Sequence, residues 1–128
     1  MRNSIGESGA LFELSGTVSN NATWDEYIYF LQAGVGMELT DLSFQLQFRT
    51  CEGRETAPHL SLSTAAGQLT ITDDNGGNPT VLRINVPYTT ISGMCGDYIA
   101  DLVSKDLDDK LTHWGHGIVT FRPSPVAF

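Results

Sequence analysis

The sequence is poor in cysteine, in basic side chains and in long apolar runs. Its 128 residues include two cysteines, and seven basic side chains stand against 15 acidic ones, which gives a net charge of −8. Because phosphate backbones repel so acidic a surface, nucleic acid is excluded as an expected partner. No apolar run approaches the roughly 20 residues that a membrane-spanning helix needs, so we expect no membrane span.

The two cysteines and the first residues bear on the compartment. Residues 1–9 have no apolar signal-peptide core, and Glu7 stands where such a core would lie. We therefore expect a protein that is made and folded in the cytosol, where thiols stay reduced. Neither Cys51 nor Cys95 belongs to a C-x-x-C pair. We expect two free thiols, although the residues alone leave a disulfide between them open.

Apolar and polar residues alternate with a period of two along most of the chain, which is typical of half-buried strands. Gly, Pro, Asn and Asp cluster between the alternating runs, as in Asn75-Gly76-Gly77, whose residue types suit the positive φ angles of a tight turn. A short helical turn or an irregular crossing is expected over 88–94. Strands are expected over 11–18, 24–31, 43–49, 60–63, 69–72, 80–86, 97–104 and 118–122.

This pattern of short strands indicates an all-β fold. A β-sandwich and a small barrel both suit it, and we predict an immunoglobulin-like antiparallel β-sandwich of about eight strands. The sandwich is expected to form a single domain over 10–123. A flexible N-terminal arm over 1–9 and an extended C-terminal tail over 124–128 are expected to flank it.

His113-Trp114-Gly115-His116 is the short cluster that most suggests chemistry. Two histidines three residues apart could ligate a metal if a third ligand, such as His59, came near. In a regular strand, however, an odd spacing places them on opposite faces, and they would converge only if Trp114 and Gly115 formed a bulge or turn. We therefore expect a structural role for this cluster and predict no metal ligand and no cofactor.

Catalytic constellations are not recognisable in the sequence. Residues 6–10 approach the G-x-S-x-G pattern of a nucleophile elbow, but no strand precedes them and no helix follows. The acidic run Asp106, Asp108 and Asp109 is typical of a solvated hairpin tip and not of a dry pocket with separated carboxyl pKa values. We predict no catalytic residue and no enzymatic activity.

Three sets of surface residues are candidates for protein–protein contact. Large side chains on the outer face of the second strand are one set, because contiguous exposed apolar area usually marks an interface. The outward row of the 43–49 strand and the proline-stiffened apolar tail are the other two. The candidate interface residues are Tyr27, Tyr29 and Leu31; Gln45, Gln47 and Arg49; and Pro125, Val126 and Phe128.

Several strand motifs, in their order along the chain, carry a resemblance to a known family. The motifs include a glycine turn followed by Trp24, a leucine-threonine segment that leads into an alternating strand, and a glycine-x-tyrosine strand. They lie at 12–17, 39–49, 67–73, 96–102 and 117–123. This order resembles a family of small immunoglobulin-like β-sandwich proteins encoded among the tail and baseplate genes of tailed bacteriophages, in the style of the upper-baseplate N-terminal domain.

The resemblance implies a virion structural protein, a component of the tail, baseplate or fibre attachment. Its partners would be other phage structural proteins, it would form a trimer or hexamer ring, and it would reach the virion after folding in the host cytoplasm. The family implies no catalytic residue. The alternative is a carbohydrate- or host-receptor-binding module, whose ring of aromatic side chains would comprise Trp24, Tyr88, Tyr98 and Trp114.

Overall fold

The computed structural model describes residues 12–32, 34–50 and 58–124, which form eleven strands and one short helix. Eight of the strands have four or more residues. The strands are β1 (Phe12–Glu13), β2 (Gly16–Ser19), β3 (Trp24–Tyr29), β4 (Leu31–Gln32), β5 (Val35–Gly36), β6 (Ser43–Thr50), β7 (Leu60–Ser63), β8 (Leu69–Thr72), β9 (Val81–Val86), β10 (Gly96–Lys105) and β11 (Leu111–Arg122). The helix α1 (Tyr88–Ile91) follows β9.

Two sheets face each other across the core. The larger sheet has the order β1-β11-β10-β6-β7, and β2 also pairs with β11. The smaller sheet has the order β3-β9-β8, and β4 and β5 form a separate hairpin. Pairing is antiparallel except along one edge, where β1 and β2 both run parallel to β11. The long ladder between β10 and β11 forms the centre of the larger sheet.

Alternation along the strands places one face of each sheet in the core. In β6, for example, Phe44, Leu46 and Phe48 are almost completely buried, and the residues between them point outward. Aromatic rings fill much of the space between the sheets in edge-to-face and tilted contacts, with centroids 5.2–6.3 Å apart. These rings belong to Trp24, Phe30, Phe44, Phe48, Trp114 and Phe121.

The predicted all-β sandwich is confirmed, and the strands at 60–63 and 69–72 have the bounds that the alternation predicts. The turn at 73–79 also forms: Asn75 and Gly77 adopt φ angles of 71° and 86°. Asp74 Oδ1 accepts hydrogen bonds from the backbone N–H groups of Gly76 and Asn78, at 2.8 and 3.3 Å. Among the described residues, no helix has the length and apolar character to cross a membrane.

The last strand differs most from expectation. We predicted it over 118–122, and β11 begins seven residues earlier, at Leu111. Glycines at 115 and 117 weaken the strand signal, since glycine in a strand interior has no side chain to pack. Gly117 is required here by a close approach, because a Cβ on it would lie 2.7 Å from the backbone carbonyl carbon of Leu14. The glycine allows the β1–β2 segment to pack beside β11.

Several predictions fall on residues outside the described ranges. They concern the arm at 1–9, Cys51, and the tail residues Pro125, Val126 and Phe128. Ser124, the first residue of the predicted tail, pairs with Asn21: its N–H donates to Asn21 Oδ1 at 2.9 Å, and its C=O accepts from Asn21 Nδ2 at 3.3 Å. Cys95 is a free, exposed cysteine.

Candidate metal centre

A β-bulge in β11 brings the two histidines of the cluster to one face. Opposite β10, Gly115 pairs with Leu102 and His113 with Val103, so Trp114 is an extra residue without a partner on β10. Trp114 and Gly115 are both buried, whereas His113 and His116 on either side are both exposed. The bulge cancels the odd spacing, so the condition for convergence is met and the opposite-face arrangement of a regular strand does not occur. Their rings are nearly parallel, with centroids 5.9 Å apart.

Asp101 on β10 completes a cluster of three donors. It pairs in register with His116, and its neighbours Ala100 and Leu102 are buried, so its side chain points to the same outer face. His113 Nε2 lies 3.3 Å from Asp101 Oδ1. One potential ligand atom from each of the three side chains lies within 4.8 Å of the other two.

These separations suit a divalent metal with small side-chain movements. Zinc binds imidazole nitrogen at about 2.0–2.1 Å and carboxylate oxygen at about 2.0–2.2 Å, so donors in a tetrahedral site lie roughly 3.3–3.5 Å apart. The His113–Asp101 distance of 3.3 Å already has that value. The third donor must approach by at most about 1.5 Å, which rotation of an exposed imidazole supplies.

The surroundings also favour a cation. The side chains of His113 and Asp101 are 45% and 27% exposed, so an ion reaches them from solvent. The outward neighbours of Asp101 along β10 are the uncharged Ile99 and Val103, and the cationic side chain of Arg49 stands on the same face one row away, opposite Ile99. The net charge of −8 raises the local concentration of cations around the protein.

Buried contacts hold the bulge in place. The indole Nε1 of Trp114 donates to Ser104 Oγ at 2.7 Å, and Ser104 is only 2% exposed. The same indole packs edge-on against Phe30 and tilted against Phe44, at centroid distances of 5.2 and 6.3 Å. The two histidines are therefore carried by a backbone segment whose central side chain lies in the core. This arrangement limits how far the two imidazoles can separate.

The third ligand differs from the one that the sequence suggested. His59 lies elsewhere, with its ring 5.6 Å from that of Tyr98. Asp101 was missed because it sits inside an alternating strand, where an outward carboxylate is ordinary. Its pairing with His116 across two strands was the missing information. The acidic run at 106–109 stabilises the hairpin turn, because Asp106 Oδ1 accepts hydrogen bonds from the backbone N–H groups of Asp108 and Lys110.

Strands β3 and β4 carry the first set of predicted interface residues on their outward side. Tyr27, Tyr29 and Leu31 are 46%, 60% and 48% exposed, as predicted from their alternation with buried residues. Whether they form an interface stays a prediction.

On the same face, Arg83 forms a bidentate ion pair with Asp25, in which Nε and Nη2 donate to the two carboxylate oxygens at 2.9 and 2.8 Å. The guanidinium carbon of Arg83 lies 5.7 Å from the centroid of the Tyr27 ring. The hydrogen bonds and charge of Arg83 lower the pKa of Asp25 below its ordinary value.

Gln45, Gln47 and Arg49 lie on the outer face of the larger sheet, the face that carries the histidines. Gln47 pairs in register with Asp101, and Gln45 with Val103. Gln47 Nε2 donates to Gln45 Oε1 at 3.1 Å. The predicted contact row and the metal cluster are therefore parts of one surface.

The predicted sugar-binding ring of aromatics does not form. Trp24, Tyr98 and Trp114 are each less than 10% exposed because they fill the core, and only Tyr88 is exposed.

An apolar cleft of about 260 Å³ also opens between β2 and β3 and reaches the core residues Leu46 and Ala100. Glu26 stands among its lining residues, and its Oε1 accepts a hydrogen bond from Trp24 Nε1 at 2.7 Å.

Comparison with known proteins finds little likeness. No family model matches the chain, and no curated protein matches it. Among solved structures, the crystal structure of CopC from Methylosinus trichosporium OB3b matches with a TM-score of 0.44 and 15% sequence identity, over 94% of this chain and 93% of that one.

The prediction of a bacteriophage virion structural protein is not upheld: no family model and no curated protein matches the chain, and the solved structure found is CopC from Methylosinus trichosporium OB3b. That functional prediction is wrong. The prediction was based on motifs that are each a strand or turn with one or two characteristic residues. Because β-sandwiches of unrelated function share such strands and turns, these motifs do not identify a function. The resemblance itself is not tested by these comparisons.

Proposed function

We propose that this protein binds a divalent transition-metal ion through Asp101, His113 and His116. The observation that carries the proposal is the bulge at Trp114, which places both imidazoles on the face of Asp101. Two nitrogen donors and one carboxylate suit first-row divalent ions such as Zn²⁺, Co²⁺, Ni²⁺ and Cu²⁺. The absence of sulfur from this donor set disfavours monovalent copper.

The protein's own residues have distinct roles in this site. The two imidazoles bind as neutral side chains through ring nitrogens, and the carboxylate adds a negative charge that offsets part of the ion's charge. The hydrogen bond between Trp114 and Ser104 keeps the imidazoles on one face without contacting the ion. Because the three donors lie at the surface, the ion can exchange with solvent.

The test is a zinc titration of the purified protein by calorimetry at a pH of about 7.5, because protons compete with the metal for its ligands at low pH. We expect one ion per chain. His113→Ala and His116→Ala should each weaken binding by more than tenfold, because losing even a residue that only orients a ligand costs about 10–100-fold. Asp101→Asn should weaken binding by a similar factor.

His59→Ala is the matched control, because the sequence has three histidines and this one lies beside Tyr98, away from the cluster. It should bind zinc as the unaltered chain does. Equal losses for His59→Ala and His113→Ala would contradict the proposal, and so would unchanged binding in the His113→Ala/His116→Ala double variant. Thermal melting of each metal-free variant checks that it remains folded.

A further inference from the structure

We infer that Gln47 supplies a fourth ligand, through its side-chain oxygen Oε1, to the metal ion of the proposed function. The inference rests on that function, and it assigns the site a set of two nitrogens and two oxygens from three adjacent strands. Gln47 on β6, Asp101 on β10 and His116 on β11 lie side by side in one row across the sheet. His113 joins this row through the bulge.

Side-chain direction and reach both support Gln47 as a ligand. Its neighbours Leu46 and Phe48 are buried, so Gln47 points to the same outer face as Asp101. Residues directly opposite each other in an antiparallel pair have Cβ atoms about 4.5–5.5 Å apart, and a glutamine amide extends beyond its own Cβ. The amide of Gln47 can therefore reach the space in front of the Asp101 carboxylate.

The hydrogen bond to Gln45 gives the amide an orientation. Gln47 Nε2 donates to Gln45 Oε1 at 3.1 Å, along the strand toward the neighbouring row. The two ends of an amide differ, since only the oxygen has lone pairs for a metal. With the nitrogen engaged along β6, Oε1 is the end of the amide that can serve as a ligand.

A fourth protein ligand changes what the site selects. Four ligands fill the tetrahedral shell that zinc adopts in structural sites, whereas three leave a position for water. Amide and carboxylate oxygens are hard donors and imidazole is of intermediate softness, so the completed set favours a divalent ion over monovalent copper. Because an amide oxygen is neutral and a weaker donor than a carboxylate, we expect Gln47 to contribute less affinity than Asp101 does.

The experiment compares substitutions two residues apart on one strand. Gln47→Glu and Gln45→Glu add the same charge to the same face of β6, but only position 47 pairs with Asp101. We expect Gln47→Glu to tighten zinc binding at least tenfold and Gln45→Glu to change it less than about threefold, because direct ligation by an added charge acts more strongly than a screened charge one row away. Gln47→Ala should weaken binding several-fold.

The visible absorption of bound Co²⁺ gives a second readout, because the position and intensity of its bands depend on both the number and the kind of ligands. We expect Gln47→Ala to alter the Co²⁺ spectrum and His59→Ala to leave it unchanged. Equal effects of the two glutamate variants, or a Co²⁺ spectrum that is the same with and without Gln47, would overturn the inference. If zinc binding still depends on His113 and His116, the proposed function then survives alone. If the unaltered chain binds no zinc, both fail.

Discussion

The two outer faces of the sandwich carry similar side chains in different states. On the smaller sheet, the Asp25 carboxylate is paired with Arg83, a residue whose nitrogens all donate and offer no lone pair. On the larger sheet, the Asp101 carboxylate lies beside His113, and a neutral imidazole offers a lone pair on one nitrogen. In the first arrangement, which we call a closed ion pair, Arg83 already neutralises the carboxylate and offers no lone pair to a metal. The second can accept a cation.

The backbone explains why the faces differ. Strands β3 and β9 pair in an unbroken register from Trp24 to Tyr29, so each side chain on that face follows simple alternation. Strands β10 and β11 shift register between Leu102 and Val103. The shift adds a residue to β11 and turns a histidine that would have faced the core toward the solvent. Irregularity in the ladder, and not residue content alone, creates the candidate site.

The largest effect is expected at Gly117, next to His116. A Cβ there would lie within 2.9 Å of three backbone atoms of Leu14, which cannot move aside as a side chain can. Gly117→Ala should cost about 2–3 kcal/mol of unfolding free energy. At Gly36, beside the smaller sheet, the nearest atom is a methyl group of Thr80 at 2.8 Å, so Gly36→Ala should cost less.

Urea denaturation measures both glycine variants, and Gly16→Ala is the control, because a Cβ on Gly16 meets no atom within 4 Å. Its unfolding free energy should change by less than about 0.5 kcal/mol. A Gly117→Ala variant as stable as Gly16→Ala would show that the β1–β2 segment is not packed tightly against β11.

The two tryptophans allow a direct comparison between the sheets. Trp114→Phe leaves the hydroxyl of Ser104, which is 2% exposed, without its indole donor, whereas Trp24→Phe frees the exposed carboxylate of Glu26. Beyond the lost ring volume, which is similar in both, Trp114→Phe should cost about 1–2 kcal/mol more, because a buried polar group left unpaired is expensive.

Zinc affinity separates positioning from packing in these variants. Trp114→Phe should weaken binding several-fold, and Trp24→Phe should not, since Trp24 lies on the other sheet. Calorimetric titration of both folded variants measures this difference. Equal zinc affinities in the two would mean that the Trp114 hydrogen bond does not position the histidines.

Local patterns predict much of the fold. Residues near one another in the chain predict three features of the fold. These are the buried and exposed faces of β3 and β6, the bounds of β7 and β8, and the turn with Asn75 and Gly77. Alternation and turn chemistry are local properties, so one sequence suffices to recognise them.

The candidate site depends instead on distant residues. At the bulge, the Trp114 indole donates a hydrogen bond to Ser104 on the neighbouring strand. Asp101 lies next to the histidines because of the register in which β10 pairs with β11. From the sequence we could infer that His113 and His116 lie on one face only if Trp114 and Gly115 form a bulge. The sequence alone does not show that this bulge forms. No property of residues 113–116 by themselves decides it.

The aromatic residues of the smaller sheet provide a test of the predicted interface. Tyr29 is 60% exposed, so Tyr29→Ser should change the unfolding free energy by less than about 0.5 kcal/mol. If this face joins copies of the chain, the same substitution should lower the sedimentation coefficient at concentrations where the unaltered chain associates. Identical sedimentation of the two proteins at every concentration would remove Tyr29 from the interface candidates.

The smallest effect is expected from the closed pair on that sheet, and it appears in acid. The hydrogen bonds and charge of Arg83 lower the Asp25 pKa from its ordinary value of 3.8, so the pair contributes stability above that pH and loses it as the pH falls through the lowered pKa. Asp25→Asn should therefore melt slightly below the unaltered chain at neutral pH, and the difference should shrink below a pH of about 4.

Arg83→Gln removes the same pair from the other strand, and in thermal melts followed by circular dichroism it should show the same narrowing. Exposure keeps the effect small, because water and salt screen both charges. A melting difference that stays constant into strong acid would mean that the Asp25–Arg83 ion pair contributes no pH-dependent stability. The proposed difference between the two faces would then be supported only by zinc binding at Asp101, His113 and His116.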